Sequence, residues 1–235
     1  MGKPIKQDLA AIVGERYVSD SVADRICYSR DCGPDKAGLP DVVVRPGSTE
    51  EVAAIVRLAN EVKKPIYTRG RGTTFLGSGV KDGVILVEMT RMNRIERIDL
   101  QSGYVTAQAG AIWRGIDVAL QRVGRELAVP GGGGLFSCTI GGTVAVNAIP
   151  HGATEYGMTG DHVLGLEVVL PDGSVINTGS AANPSSEPIE RNANGPDIAG
   201  LFIGSYGILG IITLSLIHIS EPTRPLYISY AVFCL

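Results

Sequence analysis

Histidine and cysteine, the residues from which most metal sites and thiol redox motifs are built, are scarce in this sequence. Its 235 residues include 3 histidines and 4 cysteines. The fourth cysteine, Cys234, lies in the final segment discussed below. Cys27, Cys32 and Cys138 form neither a Cys-x-x-Cys pair nor a group with histidine, which argues against a zinc site and against a disulfide framework. We therefore expect no metal site and a reducing, cytoplasmic environment.

A strong charge of either sign and long apolar runs are also missing. The formal net charge is -3 with both signs scattered along the chain, which argues against nucleic acid or an anionic membrane as the main partner. The N-terminal residues lack the apolar stretch of a secretory signal, and no run is long enough to span a bilayer. With 44% hydrophobic residues and 31 glycines, the composition predicts a soluble protein with one or two compact lobes.

The final segment, residues 214–235, resembles the in-frame translation of a sequencing adaptor. Residues 214–224 match the adaptor, residues 225–227 fit a sample index, and residues 228–235 match a flow-cell primer. We expect a non-native tail, with the reading frame cut near Thr213 and the protein continuing into a further domain. On this expectation the tail is excluded from reasoning about the fold.

Glycine is concentrated in a loop between two strand-like runs, at positions 70, 72, 77 and 79. Glycine permits positive φ and close approach of a ligand, so successive backbone N–H groups can converge on an anion. Arg69 and Arg71 add positive charge, and Thr73 and Thr74 add hydroxyl donors. We interpret this loop as a diphosphate cradle; the alternative is a glycine-rich turn with two solvated arginines.

The standard nucleotide motifs do not fit this loop. Phe75 stands where a third Rossmann glycine belongs, and the loop leads into a strand rather than a helix. No Gly-x4-Gly-Lys-Ser/Thr occurs in the chain, so a P-loop is also excluded.

Alternating periodic segments predict an α+β fold. Ser48 and Glu51 form a capping box that starts a helix ending before Pro65. Residues 28–34 receive no role, residues 151–162 are expected to be a loop, and residues 180–194 a flexible excursion. The predicted strands are 41–46, 65–69, 84–88, 95–100, 104–109, 163–170, 175–178 and 203–213, and the other predicted helices are 6–13, 111–123, a short one after Thr139, and 197–202.

A second glycine-rich region, residues 127–147, opens this short helix. Free N–H groups at a helix start favour anions, and Ser137 and Thr139 add hydroxyl groups. We expect a second anion-binding corner here. Two such corners suit one ligand with two phosphates.

The order of these motifs resembles the FAD-binding domain of the vanillyl-alcohol oxidase superfamily, the PCMH-type fold, and within it the glycolate oxidase flavoprotein subunit and D-lactate dehydrogenase branch. The likeness covers residues 28–213 and rests on segments 40–52, 138–148, 156–157, 165–173 and 201–213, with the motifs Arg69-Gly70-Arg71-Gly72-Thr73 and Cys138-Thr139-Ile140-Gly141-Gly142. It implies a lead-in of residues 1–39 and two α/β subdomains, about 40–110 and 111–213, that clasp FAD. The substrate cap would follow Thr213.

The resemblance also implies which residues contact FAD and how. The cofactor is expected to be non-covalent, because Thr73 and Thr74 stand where a related branch places a flavin-linking histidine. The implied contacts come from both subdomains: Arg69, Gly70, Arg71, Gly72, Thr73, Thr74, Ser78, Pro130, Gly131, Thr139, Gly141, Gly142, Asn147, Tyr156, Gly157, Gly210, Ile211 and Ile212.

The implied activity is oxidation of a 2-hydroxy acid, such as glycolate or D-lactate, by hydride transfer to flavin N5. A partner subunit, a quinone or a cytochrome would accept the electrons, in the cytoplasm or at the inner face of the membrane. The acid-binding arginines, the base and any metal ligands are expected beyond Thr213, so no catalytic residue is assigned and a chain without the cap is expected to be inactive.

Other interpretations of the same domain remain open. An alcohol or phenol oxidase, a cell-wall-precursor reductase, a molybdenum-hydroxylase flavin subunit and a capless FAD-binding module would share it. His151, more than His162, is a candidate to touch flavin or substrate. Cys138 and Trp113 are expected to be packed side chains, and Arg91, Arg94 and Arg97 a solvated face.

Overall fold

The computed structural model of the chain describes residues 5–34, 38–75, 80–127, 136–150, 153–183, 185–186, 190–192 and 195–219. The helices are α1 (Ile5–Val13), α2 (Val22–Cys27), α3 (Thr49–Glu61), α4 (Trp113–Gln121), α5 (Ile140–Ala145), α6 (Ala153–Tyr156) and α7 (Ile198–Phe202). The strands are β1 (Val18–Ser19), β2 (Val42–Val44), β3 (Ile66–Arg69), β4 (Ile85–Glu88), β5 (Ile95–Asp99), β6 (Tyr104–Gln108), β7 (Val163–Val169), β8 (Val175–Asn177) and β9 (Ile211–His218). None of the helices within these ranges is long and apolar enough to cross a membrane.

The first sheet has 4 strands in the order β1-β2-β4-β3. β2, β4 and β3 run parallel, and β1 pairs antiparallel with β2 at the edge. Every residue of β2 and β4 is buried, as is typical of parallel strands covered on both faces. The predicted strand, helix, strand and strand are confirmed, and the loop leaves the carboxyl end of β3, where sheets of this type bind ligands. Residues 76–79 of the predicted glycine loop, with Gly77 and Gly79, lie outside the described ranges.

The start of α3 confirms one half of the predicted capping box and corrects the other. The Ser48 hydroxyl accepts a hydrogen bond from the Glu51 N–H at 3.3 Å. The Glu51 carboxylate, however, accepts from the N–H of Gly47 at 2.7 Å rather than from that of Ser48. The guanidinium of Arg91, 3.2 Å from the same carboxylate oxygen, holds it in this position.

The second sheet has 5 strands in the order β5-β6-β9-β7-β8, all antiparallel. In this order β5 and β6 belong to the second sheet, and the subdomain boundary near residue 110 stays a prediction. The boundary between the sheets lies between Glu88 and Ile95. Local periodicity identified both strands, but their assignment to a sheet depends on pairing with residues more than a hundred positions away.

Residues 214–218 are part of the fold, although the sequence reasoning excluded them. They supply the whole pairing of β9 with β6, from Gln108 opposite Leu214 to Tyr104 opposite His218. Aliphatic side chains such as Leu216 and Ile217 suit a buried strand, and both are buried. The non-native origin of this segment stays a prediction, and residues 220–235 lie outside the described ranges.

The main apolar core contains side chains from both sheets. α3 contacts β7 and β9 of the second sheet, and its Val52 and Ile55 are completely buried. Two side chains of α3 form hydrogen bonds with the turn between β7 and β8. Arg57 donates to the Gly173 carbonyl at 2.9 Å and Asn60 to the Pro171 carbonyl at 2.7 Å. These contacts fix the two subdomains relative to each other.

The N-terminal lead-in takes part in this core. Leu9 and Val13 of α1 are buried in it, and Val18 of β1 pairs with Val44 of β2. Residues 5–19 are therefore structurally continuous with the first subdomain.

The expected flexible excursion, residues 180–194, is anchored where the structure describes it. Ser180 and Glu190 exchange hydrogen bonds, from Ser180 N–H to the Glu190 carbonyl and from Glu190 N–H to the Ser180 hydroxyl. Arg191 forms an ion pair with Asp197 and donates to the Gly160 carbonyl at 2.8 Å. Its residues 184, 187–189 and 193–194 lie outside the described ranges.

Two hydroxyl groups of β9 allow a matched test of stability. Ser215 is fully buried, and its hydroxyl has no hydrogen-bond partner among the described residues. Thr213 is also fully buried, but its hydroxyl donates to the Glu167 carboxylate at 2.7 Å. We expect Ser215→Ala to raise the free energy of unfolding by about 1 kcal/mol and Thr213→Val to lower it by about 1 kcal/mol. Urea unfolding measures both, and a destabilised Ser215→Ala protein would show that this hydroxyl is satisfied.

Candidate functional site

The two glycine-rich regions meet at one place in the fold. A Cβ atom added to Gly70 would lie 2.1 Å from the Thr139 hydroxyl oxygen. The Thr73 hydroxyl lies 3.1 Å from the Cys138 sulfur, across 65 positions of sequence. The loop after β3 and the start of α5 therefore form one surface. Cys138, half-buried, is packed there.

The loop after β3 keeps backbone donors available. None of the hydrogen bonds among the described residues uses the N–H of Gly70, Arg71 or Thr73. Gly72 adopts φ +63°, which bends the loop sharply. Backbone N–H groups rarely stay without partners inside folded proteins, so this half-buried loop is suited to receive an anion.

The prediction that the N–H groups at the start of α5 are free is wrong. Ile140 donates to the Ala111 carbonyl at 2.9 Å, and Gly141 to the Ala109 carbonyl at 2.8 Å. The Thr139 hydroxyl accepts from the Gly142 N–H at 3.4 Å. An isolated bridge between Ile112 and Thr139 brings these carbonyl groups to the helix start, so tertiary contacts satisfy its donors.

Thr139 and Gly141 instead provide close packing at this corner. A Cβ at Gly141 would lie 2.6 Å from the Cβ of Ala109, so only glycine lets α5 approach β6 so closely. The predicted core residue Trp113 is confirmed. It is 1% exposed, and its indole N–H donates to the Thr143 hydroxyl at 2.8 Å.

The two loop arginines have different surroundings. The guanidinium of Arg69 donates to the carbonyl groups of Tyr28 and Arg30, whereas Arg71 is exposed. Burial raises the pKa of the Tyr28 phenol, and the Glu88 carboxylate acts in the same direction. Sequence reasoning assigned no role to Tyr28, and no local signal marked it.

A cavity of about 240 Å³ lies between α3 and β3 on one side and the ends of β7 and β9 on the other. The predicted residues Gly210 and Ile211 line it, with Thr68 and Ile208. Ile212, the next residue of β9, is buried. A Cβ at Gly210 would lie 2.6 Å from Val168, so glycine is needed for packing beside the cavity.

Three other predicted contact residues hold the segment after α5 together. Asn147 adopts φ +45°, and its side-chain oxygen accepts from the Gly160 N–H at 2.9 Å. The Tyr156 carbonyl lies 2.7 Å from Nε2 of His162, and Gly157 turns the chain with φ +87°. Because α6 and a 3-10 turn, Thr159–His162, form here, the expectation of a simple loop is wrong. Contact of these residues with a cofactor stays a prediction.

Large apolar side chains are exposed beside both glycine-rich regions. Phe75 is 79% and Phe136 76% exposed, and Ile208 at the cavity is 80% exposed. Exposed apolar surface of this kind often marks a ligand or partner site. Sequence reasoning missed these residues as site candidates, although their position next to the glycines was visible. Ser78, Pro130, Gly131 and His151 lie outside the described ranges.

Comparisons with known proteins identify relatives of this chain. The profile of the family described as FAD binding domain matches residues 40–179. The glycolate oxidase subunit GlcD of Bacillus subtilis is 33% identical over 218 residues, covering 92% of this chain and 45% of that protein. A D-lactate dehydrogenase of Anaerostipes hadrus is 37% identical over 175 residues, covering 74% of this chain and 35% of that protein.

Solved structures share the fold. 4-Ethylphenol oxidase from Gulosibacter chungangensis superimposes with a TM-score of 0.79 at 27% identity, covering 94% of this chain and 42% of that chain. p-Cresol methylhydroxylase superimposes with a TM-score of 0.80 at 22% identity, which shows the fold alone. The chain spans less than half the length of the relatives it matches.

Proposed function

Because this chain belongs to the FAD binding domain family, with an α+β fold of the PCMH type, we propose that it carries the FAD of an oxidoreductase acting on a small 2-hydroxy acid such as glycolate or D-lactate. The observation that carries this proposal is the loop after β3, which meets Thr139 at Gly70 and in which the N–H groups of Gly70, Arg71 and Thr73 take part in none of the hydrogen bonds among the described residues. The named activities of the two curated relatives support the substrate class.

The described residues fit the chemical parts of FAD. The N–H groups of Gly70, Arg71 and Thr73 suit the diphosphate, and the exposed guanidinium of Arg71 adds positive charge. The cavity at Thr68 suits the adenine end, since its lining combines apolar residues such as Ile66 and Ile211 with the polar residues Asn60 and Thr68.

FAD and the protein residues would have separate roles in this site. When bound, FAD supplies the acceptor, flavin N5, for the hydride of the substrate carbinol carbon. The chain's own residues would hold the cofactor: the loop would bind the diphosphate, and Thr139, which meets the loop at Gly70, would border it from the start of α5. We propose non-covalent attachment, because Thr73 and Thr74 offer no histidine for a covalent bond.

The catalytic base remains outside this assignment. The imidazole of His162 is engaged with the Tyr156 carbonyl, which leaves it suited to a structural role. We propose that the base and the acid-binding arginines follow the described ranges, and that a partner subunit, a quinone or a cytochrome receives the electrons. Sequencing the parent gene across the codon for Thr213 identifies these residues.

A titration of the ligand-free chain with FAD and with FMN tests the proposal. FMN lacks the second phosphate and the adenosine, so we expect FAD to bind at least about tenfold more tightly, equivalent to about 1.4 kcal/mol. Quenching of flavin fluorescence measures both affinities. The full-length protein loaded with FAD should lose its oxidised flavin absorbance when D-lactate or glycolate is added without oxygen. Equal affinity for FMN would reject the nucleotide assignment, and unchanged absorbance would reject the substrate class.

A further inference from the structure

The glycine loop is folded around the guanidinium of its own arginine, Arg69. A Cβ added to Gly72 would lie 2.3 Å from Nη2 and 2.5 Å from Cζ of Arg69. Gly72 therefore makes room for the guanidinium in addition to providing the turn at φ +63°. Glycine at position 72 thus provides space for the Arg69 side chain, in addition to any role in binding a ligand.

The same guanidinium reaches the segment 28–33, which precedes the family match at residue 40. Nη1 of Arg69 lies 3.3 Å from the Tyr28 carbonyl oxygen and 2.5 Å from the Arg30 carbonyl oxygen. Its Cζ lies 5.6 Å from the centre of the Tyr28 ring, within the range of a cation–π contact.

A backbone hydrogen bond joins this segment to the loop directly. The Cys32 N–H donates to the Gly72 carbonyl at 3.2 Å, and the Asp31 carboxylate accepts from the Gly33 N–H at 2.7 Å. Segment 28–33 therefore packs against the loop. Its Tyr28 and Arg30 carbonyl groups contact Arg69, and its Cys32 N–H contacts Gly72.

We propose that Arg69 is a positioning residue: it fixes the loop 70–73 against segment 28–33 before the cofactor binds, and Arg71 is the cation that meets the diphosphate. This inference rests on the proposed FAD site. A glycine-rich loop loses much conformational entropy when a ligand orders it, and ordering it beforehand increases affinity. The contacts of Arg69 with carbonyl groups order the loop in the absence of a ligand.

Hydrogen exchange of the ligand-free protein tests the positioning role without any cofactor. In Arg69→Gln the amide of Cys32 should exchange about tenfold faster, because a protecting contact worth about 1.4 kcal/mol is lost. Arg71→Gln is the matched control and should leave this exchange unchanged. Unchanged exchange of Cys32 in Arg69→Gln overturns the proposal.

The dependence of FAD affinity on salt separates the two arginines. A cation that meets the diphosphate is screened by salt, whereas a positioning contact is not. We expect both variants to bind FAD about tenfold more weakly, with a reduced salt dependence only in Arg71→Gln. Arg69→Lys should recover part of the affinity, since its ammonium can still donate to both carbonyl groups. A reduced salt dependence in Arg69→Gln would identify it as a phosphate ligand and overturn the proposal.

The two arms also separate this inference from the proposed function. If the unsubstituted chain fails to bind FAD, the proposed function is rejected. The exchange rate of Cys32 in Arg69→Gln then still decides whether Arg69 holds the loop.

Discussion

Replacing Gly70 with alanine is expected to weaken FAD binding by about a hundredfold, equivalent to about 2.8 kcal/mol. The added methyl group would lie 2.1 Å from the Thr139 hydroxyl oxygen, well inside van der Waals contact. The glycine loop and the start of α5 would have to separate. The loop donors and the start of α5 would then no longer border one site.

The clash cannot be relieved simply by rotating Thr139. Its hydroxyl caps α5 by accepting from the Gly142 N–H, and a different rotamer would remove this cap at a cost of about 1 kcal/mol. Rotation would also leave the Cβ of Thr139 at 3.3 Å, which is still tight. The expected effect of substitution at Gly70 is therefore steric. At Gly72 the positive φ would add backbone strain to any substitution.

Two further variants control this experiment. Gly115 lies in α4 with no atom within 4 Å of an added Cβ, so Gly115→Ala should bind FAD as the parent chain does. Gly70→Ala combined with Thr139→Ala removes the closest atom and should recover part of the lost affinity. Isothermal titration with FAD measures all three proteins. Parent-like affinity of the Gly70→Ala single variant would show that the two regions need not touch in the complex.

Replacing Arg91 with alanine is expected to lower the free energy of unfolding by about 3 kcal/mol, since several partly buried contacts disappear together. The sequence spacing predicted that Arg91 lies on a solvated face, and this prediction is wrong. Its guanidinium lies 3.2 Å from the Glu51 carboxylate, 3.0 Å from the Arg45 carbonyl oxygen and 3.5 Å from the centre of the Tyr17 ring.

These contacts join parts of the first subdomain that are far apart in sequence. Arg91 follows β4, Glu51 lies in the first turn of α3, and Tyr17 precedes β1. Removal of Arg91 leaves the Glu51 carboxylate, which is 24% exposed, without its cation. A partly buried charge that has lost its partner is more costly than an exposed one, so the expected loss exceeds that of an ordinary surface ion pair.

Arg94 provides the matched control for Arg91. Its guanidinium is 67% exposed and pairs with Glu96 at 3.2 Å, so Arg94→Ala should change stability by less than about 0.5 kcal/mol. Urea unfolding followed by circular dichroism compares the two variants. Equal stabilities would mean that Arg91 is solvated, as its spacing indicated.

Local pattern determined much of the first subdomain. Apolar runs, the Ser48 cap and the glycines at 70 and 72 predicted β2, α3, β3, the loop and β4 in the correct order, because each feature acts within a few residues. The same holds for the hairpin of β7 and β8, whose turn contains Asp172 and Gly173. The family assignment rests on the order of such local motifs.

Tertiary structure alone decided where the donors and charges are used. Carbonyl groups from residues 109 and 111 accept from the N–H groups of Ile140 and Gly141, so these donors at the start of α5 are not free as predicted. The carbonyl groups of segment 28–33 engage Arg69, and Glu51 engages Arg91. These partners are distant in sequence and carry no local periodicity that could have revealed them.

The strands themselves could be predicted from the sequence, whereas their pairing into sheets could not. The sequence by itself predicted strands at 104–109 and 203–213. The first is confirmed as β6, whereas the second is wrong over residues 203–210 and only residues 211–213 belong to β9. Only the folded chain decided that β6 pairs with residues 214–218, and that Gly70 meets Thr139. Such contacts depend on how the sheets pack as a whole, since the hydrophobic pattern specifies which face is buried but not which distant strand covers it.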